Sequence, residues 1–155
     1  MILIILYAAA IVSANLLVAV FGPAISPINA FFLIGLDLAL QNVIGARITP
    51  LKMGALIAGT GLLSYAINPA SGIVAIASGV AFTVAALADW VTFQSSSGSW
   101  LRRNFYGNSV GAALDSVIFS AIAFGSVMPV IVLAQIAAKI AGGATWGYVM
   151  NRVLK

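Results

Sequence analysis

The chain contains no cysteine, no histidine and no glutamate. Without cysteine there is no disulfide, no thiolate zinc site and no Cys nucleophile, and without histidine there is no Ser-His-Asp triad. With glutamate absent, Asp37, Asp89 and Asp115 are the whole side-chain carboxylate inventory. Carboxylates so scattered do not suggest the oxygen cage that calcium or magnesium requires, so no metal and no cofactor is expected. Charge of either sign is scarce: 6% of the 155 residues are charged and 63% are hydrophobic, with a mean hydropathy of +1.15. A soluble domain carries roughly a quarter charged residues because water must solvate its surface. This chain cannot cover itself in that way, and lipid is the natural solvent for its exterior. The net charge of +4 comes from dispersed basic residues that form no patch, so nucleic acid is not an expected partner.

What is present is a succession of apolar runs. They cover about 2–21, 28–44, 53–67, 72–93, 108–124 and 127–150, separated by turn-forming stretches such as "FGPAISP", "NPASG" and "QSSSGSWLRRN". The pattern predicts an all-α integral membrane protein: one domain of six transmembrane helices occupying residues 1–155. Residues 1–21 lack the basic start and small-residue cleavage site of a signal peptide and are expected to form the first span.

The basic residues then select an orientation. Arg47 and Lys52 fall between the second and third spans, Arg102 and Arg103 between the fourth and fifth, and Arg152 and Lys155 after the sixth. The other connections carry no basic side chain, so every basic segment lies on the side that holds both termini. The positive-inside rule makes that side the cytoplasm. Trp100, in the longest basic connection, is expected at the headgroup level.

Asp37, Asp89, Asp115 and Lys139 fall inside the predicted spans. At a helix centre each would cost about 3 kcal/mol against lipid, about 12 kcal/mol for the set. Asp89 lies close enough to a span end to reach the interface, but the others must face the bundle interior, a partner or a wet cavity. Their spacing points inward. Asp37 and Gln41 are one helical turn apart, Asn108, Gly111 and Asp115 follow i, i+3, i+7, and Gln135, Lys139, Gly142 and Trp146 follow i, i+4, i+7, i+11. Asn15 sits deep in the first span. A buried Asp–Lys pair can simply fix helix register, and a lone Gln135 or Asn15 reads best as a cross-helix hydrogen bond. Three carboxylates against one ammonium leave an excess that needs a proton, water or a ligand, which favours a functional site at Asp37, Asp115 and Lys139. Ala10 with Ala14, and Ala134 with Ala138 and Gly142, read as small-residue packing faces, and "GTG" at 59–61 as close helix packing rather than a phosphate loop.

Several segments, in order along nearly the whole chain, resemble one family. "FFLIGLDLALQNVIGARI", "SAN" at 13–15, "ALADWVTFQ", "LRRNFYGNSVGAALDSVIFSAIAFG" and "IAAKIAGGATWGYVMNRVLK" are similar to the successive motifs of the queuosine precursor transporters, also called vitamin uptake transporters. The chain departs from that pattern at Gln41, where the family often has a basic residue, and at Ala112, where it often has an amide.

The resemblance implies a carrier, not an enzyme. It would import 7-cyano-7-deazaguanine or 7-aminomethyl-7-deazaguanine through a bacterial inner membrane, on a fold similar to the substrate-binding subunits of energy-coupling-factor transporters. Carried onto this chain, the resemblance marks Asn15, Asp37, Asp89, Asp115 and Lys139. The polar spacing adds Gln41 and Asn108 as substrate-binding candidates. Expected partners are the small-molecule substrate and the lipid bilayer, with a homo-oligomer or an energy-coupling module left open. The main alternative is a vitamin-binding subunit that needs such an ATPase module, for which an Ala10–Ala14 docking face would serve. A membrane enzyme fits less well, since no nucleophile–base pair is evident, and a purely structural protein leaves the excess carboxylates unexplained.

Overall fold

The computed structural model describes residues 1–45 and 47–153, and every regular element among them is helical. The helices are α1 (Ile2–Phe21), α2 (Ser26–Asn29), α3 (Gly35–Gly45), α4 (Pro50–Ile67), α5 (Gly72–Ser95), α6 (Trp100–Ala123) and α7 (Pro129–Val153). Lys155 and the side chain of Trp100 lie outside the described residues. Three helical stretches, Ile2–Gln41, Pro69–Asp89 and Pro129–Met150, are long and apolar enough to cross a membrane, and Leu51–Ile67 is a shorter apolar helix.

The first of these stretches folds back on itself. Gly22, at φ 66° and ψ −157°, takes a backbone conformation that side-chain-bearing residues avoid, and it ends α1. The chain then returns beside α1, so that Asn29 Nδ2 donates to the Ala14 carbonyl at 3.0 Å. From Ser26 to Gly45 the returning rod is helical throughout, with a π-helical stretch over Ala30–Ile34 between α2 and α3.

Local sequence sets the other boundaries. Thr49 caps α4 by accepting from the Lys52 amide at 3.4 Å, and Pro50 follows at the position where a missing N–H is harmless. Ser99 caps α6 in the same way, accepting from the Arg102 amide at 3.4 Å. Helix α6 therefore starts at Trp100 rather than near 108, and Arg102 and Arg103 sit in its first turn. Apolarity marks where a helix enters hydrocarbon, whereas the cap marks where it begins, and here the two differ by about two turns.

Packing contacts run from α1 to α4, α4 to α5, α5 to α6, α6 to α7, α7 to α3 and α3 back to α1. The rods thus close into a ring. Its closest approaches are made by glycine. A Cβ on Gly35 would come within 2.7 Å of the Gly142 backbone, and one on Gly142 would strike the Phe31 carbonyl, so α3 and α7 touch backbone to backbone beside the π-helical stretch. Gly107 and Gly111, one turn apart on α6, admit Asp89 and the Ala85 carbonyl of α5 in a second such seam. By contrast, Gly59 and Gly61 have nothing within 4 Å of a Cβ position. The close packing expected of "GTG" is absent, because Gly59 is exposed and Gly61 faces the cavity.

The solvent pattern is inverted relative to a water-soluble protein. Ile5, Val20, Ile28, Leu62, Ile76, Leu87 and Leu133 are exposed, while Asn15, Asn29, Asp37, Ser64, Ser116, Gln135 and Lys139 are buried. Such an exterior suits lipid and such an interior suits a polar function. An apolar cluster of Tyr7, Ile11, Leu40, Ile44 and Met53, with Leu3 and Met150 against it, fills the end of the ring that holds the N-terminus and the end of α7. The small face of Ala10 and Ala14 is only 4% and 2% exposed, so it is used inside the bundle and is not a free docking surface.

Candidate functional site

Beside the apolar cluster the ring encloses a cavity of about 80 Å³. That is space on the order of six waters. Every rod contributes to its wall. Asn15 comes from α1, Asp37 and Gln41 from α3, Asp89 from α5, Asn108 and Asp115 from α6, and Lys139 from α7. The helical spacing in the sequence, which placed these polar residues on inward faces, is what collects them around one space. Gly142 and Trp146 continue the α7 stripe but do not reach the cavity; Gly142 is taken up by the helix seam.

Charge is concentrated at the crossing of α3, α6 and α7. Lys139 Nζ forms an ion pair with Asp115 Oδ2 and donates a second bond to Ser116 Oγ at 3.0 Å. Ser116 in turn donates to the Ala112 carbonyl at 2.7 Å, so the ammonium is held by a hydroxyl that is itself fixed. Lys139 is 4% exposed and Asp115 is 19% exposed, which leaves the carboxylate facing the cavity more openly than its partner. Asp37 is 3% exposed and within electrostatic range of both, yet its Oδ1 has no hydrogen-bonding partner. The buried Tyr7 hydroxyl lies beside the Asp37 carboxylate and interacts with it.

A second polar level lies toward the end of the ring formed by the α1–α2 turn and the α4–α5 connection. Asn15 Nδ2 donates to Ser64 Oγ at 3.3 Å, and Asn15 Oδ1 accepts from Ser78 Oγ at 2.7 Å, tying α1 to α4 and α5. Asn15 therefore works as a cross-helix clamp in the cavity wall. Around it, Asn29 Oδ1 and Ser26 Oγ are buried without a partner, and Gln135 Nε2 is equally unpaired on α7. All three residues line the cavity. Unsatisfied polar atoms in a low-dielectric interior are destabilising by about 1–3 kcal/mol each, so a cluster of them around one space marks a place where water or a ligand completes the bonding.

The polar spacing in the sequence missed part of this wall. Ser26 and Asn29 fall in a turn-forming stretch and at a span edge, and Ser78 in the wall, like Ser116 bonded to Lys139 behind it, is a hydroxyl of a kind that commonly bonds to its own helix. Gln135 read as a structural amide but has its donor group free. Among the aromatic residues, Phe82 and Phe119 line the cavity, while Phe32, Phe105 and Tyr106 are exposed and Phe31 lies in the α3–α7 seam. No group of His, Cys, Asp or Glu among the described residues could hold a metal ion.

This interior gathers charged and polar side chains around one cavity beneath an apolar exterior. Comparisons with protein-family models, curated proteins and solved structures find no match to the chain.

Proposed function

We propose that this protein is a membrane carrier that imports a queuosine precursor, a 7-deazaguanine bearing a cyano or aminomethyl group, across a bacterial inner membrane. The single observation that carries this reading is the cavity ringed by Asp37, Asp115, Lys139 and unpaired amide and hydroxyl groups inside an otherwise apolar bundle. The identity of the cargo rests on the motif resemblance along the chain.

In this reading six rods cross the bilayer: α1, the α2–α3 rod, and α4 to α7. The described basic residues Arg47, Lys52, Arg102, Arg103 and Arg152 sit in turns or terminal helical turns at one end of the ring, which the positive-inside rule assigns to the cytoplasm together with both termini.

A 7-deazaguanine offers two adjacent donors, its ring N–H and its exocyclic amine. Asp115, held in place by Lys139, accepts both through charge-assisted bonds, and the free Gln135 Nε2 reaches the ring carbonyl. Gln41 and Asn108 stand nearer the cytoplasmic end, where they meet the base on release. Phe82 and Phe119 supply apolar wall for the ring faces. The competing reading, a subunit docked to an ATPase module through Ala10 and Ala14, loses its main support because both residues are buried.

The test is uptake in a bacterium that can neither make queuosine nor import its precursors. The intact protein restores queuosine in transfer RNA when 7-cyano- or 7-aminomethyl-7-deazaguanine is supplied, and Asp115→Ala, at equal membrane abundance, does not. Rescue undiminished in Asp115→Ala contradicts the site, and no rescue by a well-inserted intact protein contradicts the cargo.

A further inference from the structure

We propose that the cavity selects a ligand carrying one positive charge, and that Asp37 is the group that meets it. This rests on the carrier reading above and specifies the class of cargo for the same site.

The observation behind it is an imbalance of charge. Three carboxylates, Asp37, Asp89 and Asp115, line the cavity with a single ammonium, Lys139. Lys139 is committed: its Nζ pairs with Asp115 and bonds Ser116, and neither Asp37 oxygen is within ion-pair distance of it. Asp89 lies at the cytoplasmic end of the cavity, pressed against Gly107. Asp37 is different. It is 3% exposed, lines the cavity, and presents an unpartnered Oδ1.

No arginine lines the cavity. The groups acting on Asp37 are the Asp115 carboxylate, the Tyr7 hydroxyl and Lys139, an ammonium already paired. A carboxylate in that setting takes up a proton or meets a counter-charge, and among the described residues no unpaired cation lines the cavity beside it, so a ligand cation is the counter-charge the site is open to. A neutral ligand would fill the space and leave the deficit. A flat heterocycle with a primary ammonium removes it: Asp115 takes the donor edge of the ring, and Asp37 takes the ammonium. The two charged groups on α6 and α3 would then divide the ligand between them, one reading the ring and the other the substituent.

The two queuosine precursors form a matched pair of probes. They share the ring edge, while the 7-cyano group is neutral and the 7-aminomethyl group is a primary ammonium. Equilibrium binding of each to the purified chain in lipid nanodiscs should give a preference of about ten- to hundredfold for the aminomethyl base, the range expected of one charge-assisted bond. Asp37→Asn should bring the two affinities to within about threefold, Asp37→Glu should keep the preference, and Asp115→Asn should weaken both bases together.

Equal binding of the two bases by the intact protein overturns the proposal, because Asp37 then carries a proton rather than a ligand charge. A preference that survives Asp37→Asn overturns it as well. Should Asp37→Asn fail to fold, the intact-protein ratio and Asp37→Glu decide. Binding of neither base by a folded protein contradicts the queuosine-precursor reading itself, a result distinct from equal binding.

Discussion

Lys139 on α7 is ion-paired to Asp115 on α6, and this contact joins the last two rods at the wall of the cavity. Both groups are largely withdrawn from solvent, so the pair is sensitive to the loss of either member. Removing one partner of a buried pair strands the other charge, which typically costs about 3–5 kcal/mol. Lys139→Met should therefore destabilise the protein by about that amount. The double variant Lys139→Met with Asp115→Asn should recover most of the loss. Thermal unfolding of the four proteins in detergent, read as a double-mutant cycle, checks this. Additive losses would mean that the pair is not coupled.

The α3–α7 seam makes a different demand. Gly35 and Gly142 leave no room for a methyl group, since a Cβ at either would overlap the opposite backbone. Gly142→Ala should lower stability by about 1–3 kcal/mol through overpacking. Gly59→Ala, on α4 where nothing lies within 4 Å, should be neutral or slightly stabilising because alanine is the better helix former. Melting temperatures of the two variants, measured side by side, separate packing from propensity.

Much of this arrangement was legible in the sequence. The apolar runs located every rod, and the period of the polar residues put Asp37 with Gln41, and Asn108 with Asp115, on the faces that turn inward. Glycine roles were less legible, because the sequence cannot tell a glycine that admits a neighbouring backbone from one that faces open space. Gly35, Gly107 and Gly111 do the first, whereas Gly59 does the second. Helix starts shifted for a related reason. Ser99 and Thr49 cap their helices ahead of the apolar runs, and a hydropathy reading does not register a cap. Asn29 was hidden by its position just inside a Pro-rich turn, although its amide ties the returning rod to α1.

Asn15 bonds to both α4 and α5 through Ser64 and Ser78. Asn15→Leu should cost about 1 kcal/mol of stability, the usual scale for hydrogen bonds between membrane helices. Ser78→Ala should lose less, since Asn15 keeps its bond to Ser64. Chemical denaturation in mixed micelles checks the order of the two.

The absence of cysteine makes orientation easy to measure. Ser97→Cys lies in the connection between α5 and α6, and Ala70→Cys in the connection between α4 and α5, and both positions are exposed. A membrane-impermeant thiol reagent applied to intact cells should label Ala70→Cys and spare Ser97→Cys until the membrane is opened. Labelling of both from outside would contradict the orientation with both termini in the cytoplasm.

The most direct measurement is uptake of labelled 7-aminomethyl-7-deazaguanine into proteoliposomes that contain this chain and no other protein. Uptake above that of empty liposomes, saturable and abolished by Asp115→Asn, is the predicted result. Uptake equal to that of empty liposomes, from protein shown to be folded and inserted, would contradict a carrier that works through its own cavity.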